Sequence, residues 1–123
     1  MSEKPHKRLA LWQKSVEFVV SAYAETKSFP AAEKFGLAAQ MRRAAVSIPS
    51  NVAEGSARRT RKEYQQFLFI ARGSIGELDT QIEIAGRLGY LKPEAATRLR
   101  AQLDAIGRML TGLLKYVGRV DAS

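Results

Sequence analysis

Carboxylates come closest to a catalytic or metal-binding pattern in this sequence. Asp79 and Glu83 are four residues apart, so on a helix they share a face and could together hold one Mg²⁺. Four carboxylates are followed by an arginine four residues later, which is the favourable order for an ion pair within a helix. These pairs are Glu54–Arg58, Glu83–Arg87, Glu94–Arg98 and Asp104–Arg108. The spacing therefore explains most of these acids without an active site.

Other nucleophile and metal-ligand types are scarce. The 123-residue chain has no cysteine, which excludes disulfides, thiolate metal sites and cysteine nucleophiles. His6 is the single histidine, whereas a di-iron helical bundle needs two Glu-x-x-His motifs. We expect no enzymatic activity, no catalytic residue, no metal and no cofactor. A metal-dependent nuclease built on Asp79 and Glu83 is the least favoured alternative.

Positive charge is the most distinctive feature of the composition. Twenty Lys and Arg against twelve Asp and Glu leave a net charge of +8, which attracts polyanions such as nucleic acids. The length and the 46% of hydrophobic residues fit one domain with a packed core. The longest uncharged run, Ala44 to Ala53, is ten residues, too short to span a membrane. With no secretory signal pattern either, we expect a cytoplasmic protein without a membrane partner.

Apolar residues recur at intervals of three and four through nearly the whole chain, which predicts helices. Short connections favour antiparallel neighbours, so the predicted fold class is all-α, an up-down-up-down four-helix bundle. Pro49 lies inside the second apolar stripe, where we expect the helix to bend rather than break. The predicted helices are about residues 9–28, 31–58, 61–89 and 93–118 of a bundle over 9–119, between a flexible basic tail at 1–8 and a flexible terminus at 120–123.

This topology gathers positive charge at one end of the bundle. The N-terminus, the second connection and the C-terminus share that end, where the net charge is +6, against +1 at the opposite end. The residues predicted to bind nucleic acid there are Lys7, Arg8, Arg58, Arg59, Arg61, Lys62, Lys115 and Arg119. Because no aromatic residue is among them, binding should be directed to phosphates with little sequence specificity. A solvated end that binds nothing is the alternative.

Mostly small or neutral polar residues form a stripe on the second helix, and they suit a contact within the bundle or between subunits. An ordinary polar flank is the alternative. We expect Asn51 and Glu54 to bond to Gln81 or Thr80 of the third helix. Arg42 and Arg43 suit either a subunit contact or nucleic acid. The predicted structural or interface residues are Gln40, Arg43, Ser47, Pro49, Asn51, Glu54 and Gln81.

Glycines inside the predicted helices have two explanations. Each lowers helix stability by up to about 1 kcal/mol relative to alanine, which close backbone approach between helices or subunits would offset. Plain tolerance of poor helix formers explains them equally well. The residues concerned are Gly73, Gly76, Gly86, Gly107 and Gly112.

The run from Gln40 to Gly55, QMRRAAVSIPSNVAEG, resembles the signature of the four-helix bundle protein family, also called the 23S rRNA intervening-sequence protein family. The resemblance covers roughly residues 9–118, from LWQKS upstream to LGYL downstream. It implies an antiparallel four-helix bundle that assembles as a ring, typically a homopentamer, with no catalytic residues to carry over. A related bundle, the accessory protein of diversity-generating retroelements, binds nucleic acid and a reverse transcriptase.

The charge pattern and the resemblance lead to one hypothesis. We expect a non-enzymatic homo-oligomeric scaffold that binds nucleic acid, RNA rather than DNA, through its basic end. The alternative is an adaptor that recruits another protein and whose positive charge is incidental.

Overall fold

Four helices form the protein, and a computed structural model describes residues 6 and 9–119. The helices are α1 (Ala10–Thr26), α2 (Leu37–Ser56), α3 (Arg61–Arg87) and α4 (Pro93–Arg119). Each packs against the next along the chain, and α4 packs back against α1. The predicted all-α class is therefore confirmed. Within the described residues, none of the helices is both long and apolar enough to cross a membrane.

Bonds between helices establish that neighbours run antiparallel. Arg42 Nε, near the start of α2, donates to Thr26 Oγ1 at the end of α1 over 2.9 Å. Arg61, at the start of α3, donates to the Val117 carbonyl near the end of α4 over 3.5 Å. Helices α2 and α3 are joined by the Ser74–Ser47 hydrogen bond. Helices α1 and α4 are joined by the Gln102–Ser21 and Arg98–Glu25 bonds. The start of α1, the α2–α3 connection and the end of α4 therefore share one end of the bundle.

A single apolar core lies between the helices, and each helix contributes one stripe to it. The stripes repeat every three or four residues, the spacing that keeps side chains on one face of a helix. Burying each large side chain contributes about 1.5–3 kcal/mol, so the core supplies most of the drive to fold. The largest fully buried side chains include Phe18, Met41, Ile48, Leu68, Leu78, Ile82, Leu99, Ile106 and Leu110.

The start of α2 differs from the prediction of a helix from residue 31. Residues Ala31–Glu33 form a separate 3₁₀ turn, and α2 begins only at Leu37, after Gly36 takes a non-helical conformation. Glu33 Oε1 then accepts from the Leu37 N–H over 3.1 Å, and its Oε2 accepts from the Tyr90 hydroxyl over 3.2 Å. The helix starts late because this carboxylate satisfies an N–H group that the first turn leaves free.

The other helix ends lie close to their predicted positions. α1 ends at Thr26 and α3 at Arg87, each two residues earlier than expected, within the usual scatter of helix boundaries. Gly89, with φ of 78°, turns the chain after α3 in a conformation that a side chain would strain. α2 continues through Pro49 to Ser56, so the helix does not break at the proline.

Glu33 provides a test of how α2 is capped. Replacing Glu33 by Ala removes the acceptor for both Leu37 and Tyr90, and we expect the free energy of unfolding to fall by about 1 kcal/mol. Urea unfolding followed by circular dichroism measures this. Lys34→Ala, next to it and exposed, is the matched control and should change stability by less than about 0.5 kcal/mol. Equal losses for the two variants would contradict the capping role.

Candidate nucleic-acid interface

Six cations meet at the end of the bundle where the α2–α3 connection lies beside the end of α4. The Arg61–Val117 hydrogen bond joins the start of α3 to the end of α4, so cations from both helices share a surface. We call this surface the basic end; its described members are Arg58, Arg59, Arg61, Lys62, Lys115 and Arg119. Lys7 and Arg8, which were also predicted to bind, lie outside the described residues.

The cations of the basic end are not equivalent. Arg58 lies 3.3 Å from the Glu54 carboxylate, and its guanidinium stacks over the Phe67 ring at 4.7 Å. Its charge is therefore partly neutralised and its position is fixed by the bundle. Four others are exposed and form no ion pair with any described residue: Arg59, Lys62, Lys115 and Arg119. These four are the strongest candidates for contact with phosphate.

The net charges of the two ends of the bundle differ less than the +6 and +1 counted from the sequence. Glu54, which that arithmetic left out, lies at the basic end beside Arg58. Arg42 and Arg98, also left out, lie at the opposite end against the last turns of α1. Arg98 is paired there with Glu25 at 2.9 Å, and Arg42 is bonded to Thr26. Three more cations at that end, Lys27, Lys34 and Lys92, are exposed and form no ion pair with a described residue, so the two ends differ only by four to three in exposed, unpaired cations.

An apolar groove on the outside of α1 and α2 is a feature that the sequence did not reveal. Its volume is about 650 Å³. Arg42 stacks over the Tyr23 ring at 4.5 Å, and Phe35 stands at the rim with 87% of its surface exposed. Phe35 lies outside every apolar stripe of the sequence, and this position was the signal that could have indicated the groove. The lining residues are Tyr23, Lys34, Phe35, Ala39, Arg42, Arg43, Val46 and Ser47.

The polar stripe of α2 contacts α3 through Ser47. Ser74 Oγ donates to Ser47 Oγ over 2.8 Å, and Asn51 Nδ2 donates to the same hydroxyl over 2.9 Å and to the Ser47 carbonyl. The prediction that Asn51 and Glu54 bond to Gln81 or Thr80 is wrong. Because Ser47 lies level with Ser74 in the antiparallel pair, Asn51 lies about 16 Å along the helix axis from Gln81.

The remaining predicted interface residues have varied surroundings. Gln40 and Arg43 are exposed on α2, and Pro49 is buried on it. Gln81 is 5% exposed and donates to Glu77 Oε2 of its own helix over 3.1 Å. Its Oε1 is buried without a hydrogen-bond partner among the described residues. Gln81 therefore belongs to the core of α3 rather than to a bond with α2.

Close approach of backbones occurs at one glycine, and it is not one of those first considered. A Cβ added at Gly55 of α2 would lie 2.9 Å from Tyr64 Cδ1 and 3.0 Å from Phe67 Cβ of α3. A Cβ at any of the five glycines first considered would meet no described atom within 4 Å, so close packing inside the bundle does not explain them. They are Gly73, Gly76, Gly86, Gly107 and Gly112.

The predicted ion pairs form in part. Glu54–Arg58 and Glu83–Arg87 are present, at 3.3 and 2.8 Å. Arg98 pairs instead with Glu25 across the α1–α4 contact, because the bundle brings that carboxylate within 2.9 Å. The fourth expected pair, Asp104–Arg108, is not within bonding distance in the described part of the chain.

The Asp79–Glu83 pair fits a magnesium site poorly. Arg87 Nε donates to Glu83 Oε2 and Arg100 to Glu83 Oε1, each over 2.8 Å. The hydrogen bond and the positive charge of Arg87 lower the pKa of the Glu83 carboxyl. Both oxygens are thus already engaged by guanidinium groups. Among residues 6 and 9–119, no three acidic or histidine side chains cluster as metal ligands.

The fold and the basic end define a four-helix bundle with a cationic surface. The model of the 23S rRNA-intervening sequence protein family matches residues 7–112, and the chain belongs to this family. A solved structure of similar fold, from Bacteroides thetaiotaomicron VPI-5482, is described as a protein with unknown function from the S23 ribosomal protein family. Its TM-score is 0.78 at 23% identity, over 86% of this chain and 99% of that one. Among curated proteins, no sequence matches this chain.

Gly55 and Gly112 give opposite expectations for the same substitution. Gly55→Ala places a methyl group against Tyr64 and Phe67, so we expect the free energy of unfolding to fall by about 1–3 kcal/mol. Gly112→Ala adds a methyl group in open space on α4 and should raise it by up to about 1 kcal/mol. Chemical denaturation of both variants measures the difference. A neutral or stabilising Gly55→Ala would show that α2 and α3 are not closely packed there.

Proposed function

We propose that this protein is a non-enzymatic oligomeric scaffold that binds nucleic acid, RNA in preference to DNA, through the basic end. The observation that carries the proposal is a group of four exposed cations on one surface that form no ion pair with any described residue: Arg59, Lys62, Lys115 and Arg119. Unpaired cations are the ones available to displace counterions from phosphates. Membership in a family described by 23S rRNA intervening sequences favours RNA as the polyanion.

The bundle supports such contacts by holding its charges in place. Arg58 pairs with Glu54 and stacks on Phe67, and these two contacts hold it in the α2–α3 connection beside Arg59. Arg61 ties this connection to the last turn of α4 through the Val117 carbonyl. Contacts from these cations go to phosphate groups, which position a nucleic acid without reading its sequence. Weak sequence specificity is therefore expected.

Self-association is the second part of the proposal, and its support is the distribution of exposed apolar side chains. They lie on α1, α2, α3 and the turns before α2 and after α3, whereas α4 has a single large exposed one, Tyr116, within the described residues. Phe69 lies towards the α3–α4 groove, where Arg72 stacks over it. Exposed apolar surface of this kind is typical of a protein interface. The members on α1, α2 and the turn before it are Val20, Tyr23, Phe35 and Val46; those on or after α3 are Phe69, Ile70, Ile84 and Leu88.

A second copy of the chain is the occupant that this face suits. In a ring, each subunit uses two different surfaces, and α2 presents one flanked by apolar side chains of both α1 and α3. Gly73 lies on the outside of α3 with open space around it, so the backbone of another subunit can approach there. A ring, with a pentamer favoured by the family resemblance, would also repeat the basic end around its axis and multiply the binding charge.

Salt dependence tests the nucleic-acid part of the proposal. With four phosphate contacts, log K for a single-stranded oligoribonucleotide should fall with log salt at a slope of about −3 for each bound subunit. Replacing Arg59, Lys62 and Lys115 by Gln should reduce the slope to about −1, as measured by fluorescence anisotropy. Lys27, Arg87 and Lys92, changed to Gln at the opposite end, form the control that loses the same charge. An absence of binding at low salt, or equal effects of both triple variants, would contradict the proposal.

Light scattering tests self-association. We expect the wild-type protein to be oligomeric at micromolar concentration, and Val46→Asp to shift it to monomers because a charge would be buried at the α2 face. Thr111→Asp, on the exposed side of α4, is the control and should leave the assembly intact. Circular dichroism checks that both variants remain helical. A monomeric wild type would overturn the oligomer.

A further inference from the structure

We infer that Tyr116 is a stacking platform for an unpaired base, so that the ligand of the basic end is a single-stranded nucleic acid. The inference rests on the proposed function and specifies its ligand. Tyr116 is in the last turn of α4, between Lys115 and Arg119, and 62% of its surface is exposed. Tyr116 was not among the residues predicted to bind nucleic acid, because those residues were selected by charge alone.

Tyr116 has neither of the structural roles that other aromatic residues have in this bundle, which are packing in the core and forming part of the exposed apolar surface. It is not part of the core, since the apolar stripe of α4 near it passes through Leu114 and Val117. It is also on α4, whereas the other large exposed apolar side chains of the described residues lie on α1, α2, α3 and the turns before α2 and after α3. An exposed ring with neither role, in the same helical turn as two unpaired cations, suits a ligand that is both flat and anionic.

The ring of Tyr116 and the two cations beside it are close enough together to contact the base and the phosphates of one nucleotide. Tyr116 and Arg119 are three residues apart and share a helix face, while Lys115 is the neighbouring residue, all within about one turn of 5.4 Å. A base that stacks on the ring therefore has cations beside it for its flanking phosphates. Aromatic stacking and cation contact together are the usual means of binding single strands without sequence preference.

A duplex does not suit this arrangement. In a base-paired helix the faces of the bases are stacked on one another, so a protein reaches only their edges and the backbone. Other aromatic rings near this end are less accessible than Tyr116. Trp12, at the start of α1, is half-buried against the core and contacts the His6 ring. Tyr64 and Phe67 are half-buried against Gly55, and Phe67 is covered by Arg58.

Abasic oligonucleotides separate stacking from charge. At one fixed low salt concentration, fluorescence anisotropy compares an unstructured single-stranded oligoribonucleotide, an abasic strand of equal length and a duplex. We expect the wild-type protein to prefer the strand with bases. Tyr116→Ala should weaken binding of that strand about 5- to 100-fold, from about 1–3 kcal/mol of stacking per base. Binding of the abasic strand should stay unchanged, and Tyr116→Phe, which keeps the ring, should retain the preference.

The outcomes distinguish this inference from the proposed function. If both strands bind with equal affinity and Tyr116→Ala changes neither, the basic end binds phosphate alone and the stacking role is overturned. A duplex that binds as tightly as the single strand at equal phosphate number would overturn it as well. If no strand binds at low salt, the proposed function fails and the inference with it. Circular dichroism of Tyr116→Ala should match the wild type, because the side chain is exposed.

Discussion

The close antiparallel packing of α2 against α3 is the constraint on which the rest of this structure depends. Gly55 has no side chain at the point where Tyr64 and Phe67 press against α2, and the Ser47–Ser74 hydrogen bond sets the two helices level with one another. Interiors pack at the density of organic crystals, so a displacement here would be transmitted to neighbouring contacts. The short connection between the two helices, with its arginines, takes its shape from this packing.

The same packing determines which arginines are free. Phe67 is close enough to the end of α2 for Arg58 to stack over it, and Glu54, one turn earlier, holds the guanidinium from the other side. Arg59, the next residue, has no such partner among the described residues. Two adjacent arginines thus differ in role because the bundle provides an aromatic ring and a carboxylate to only one of them. A surface that combines paired and unpaired cations is suited to polyanions.

The outside of the bundle divides into two kinds of surface. Around α2, apolar side chains such as Val46 and Ile70 are exposed beside neutral polar ones, a composition suited to a protein contact. On the described part of α4, Tyr116 is the only large apolar side chain that is exposed. An assembly that uses α4 in neither of its two contacts would leave Tyr116 and the basic end open to solvent. Self-association and nucleic-acid binding are therefore compatible on one small protein.

Much of the fold was predictable because helix formation and core composition follow from local spacing. Apolar residues every three or four positions determined four helices, and short connections determined their antiparallel order. The exact start of α2 was not predictable, because it depends on Glu33, whose carboxylate is also bonded to Tyr90, a residue distant in sequence. The partner of Arg98 was missed for the same reason, since the alignment of α1 and α4 brings Glu25 to it. Asn51 bonds instead to Ser47, four residues earlier on its own helix.

The sequence by itself determined the family, the helical class and the excess of positive charge, since these depend on residue types and their spacing along the chain. Only the tertiary structure decided which charges are paired between helices, which glycine is packed and which aromatic rings are exposed. Arg87 and Arg98 look alike in the sequence, each with a glutamate four residues earlier, and so do Tyr64 and Tyr116. They differ in the fold because pairing and burial depend on neighbours from other helices, and their distances are set by packing.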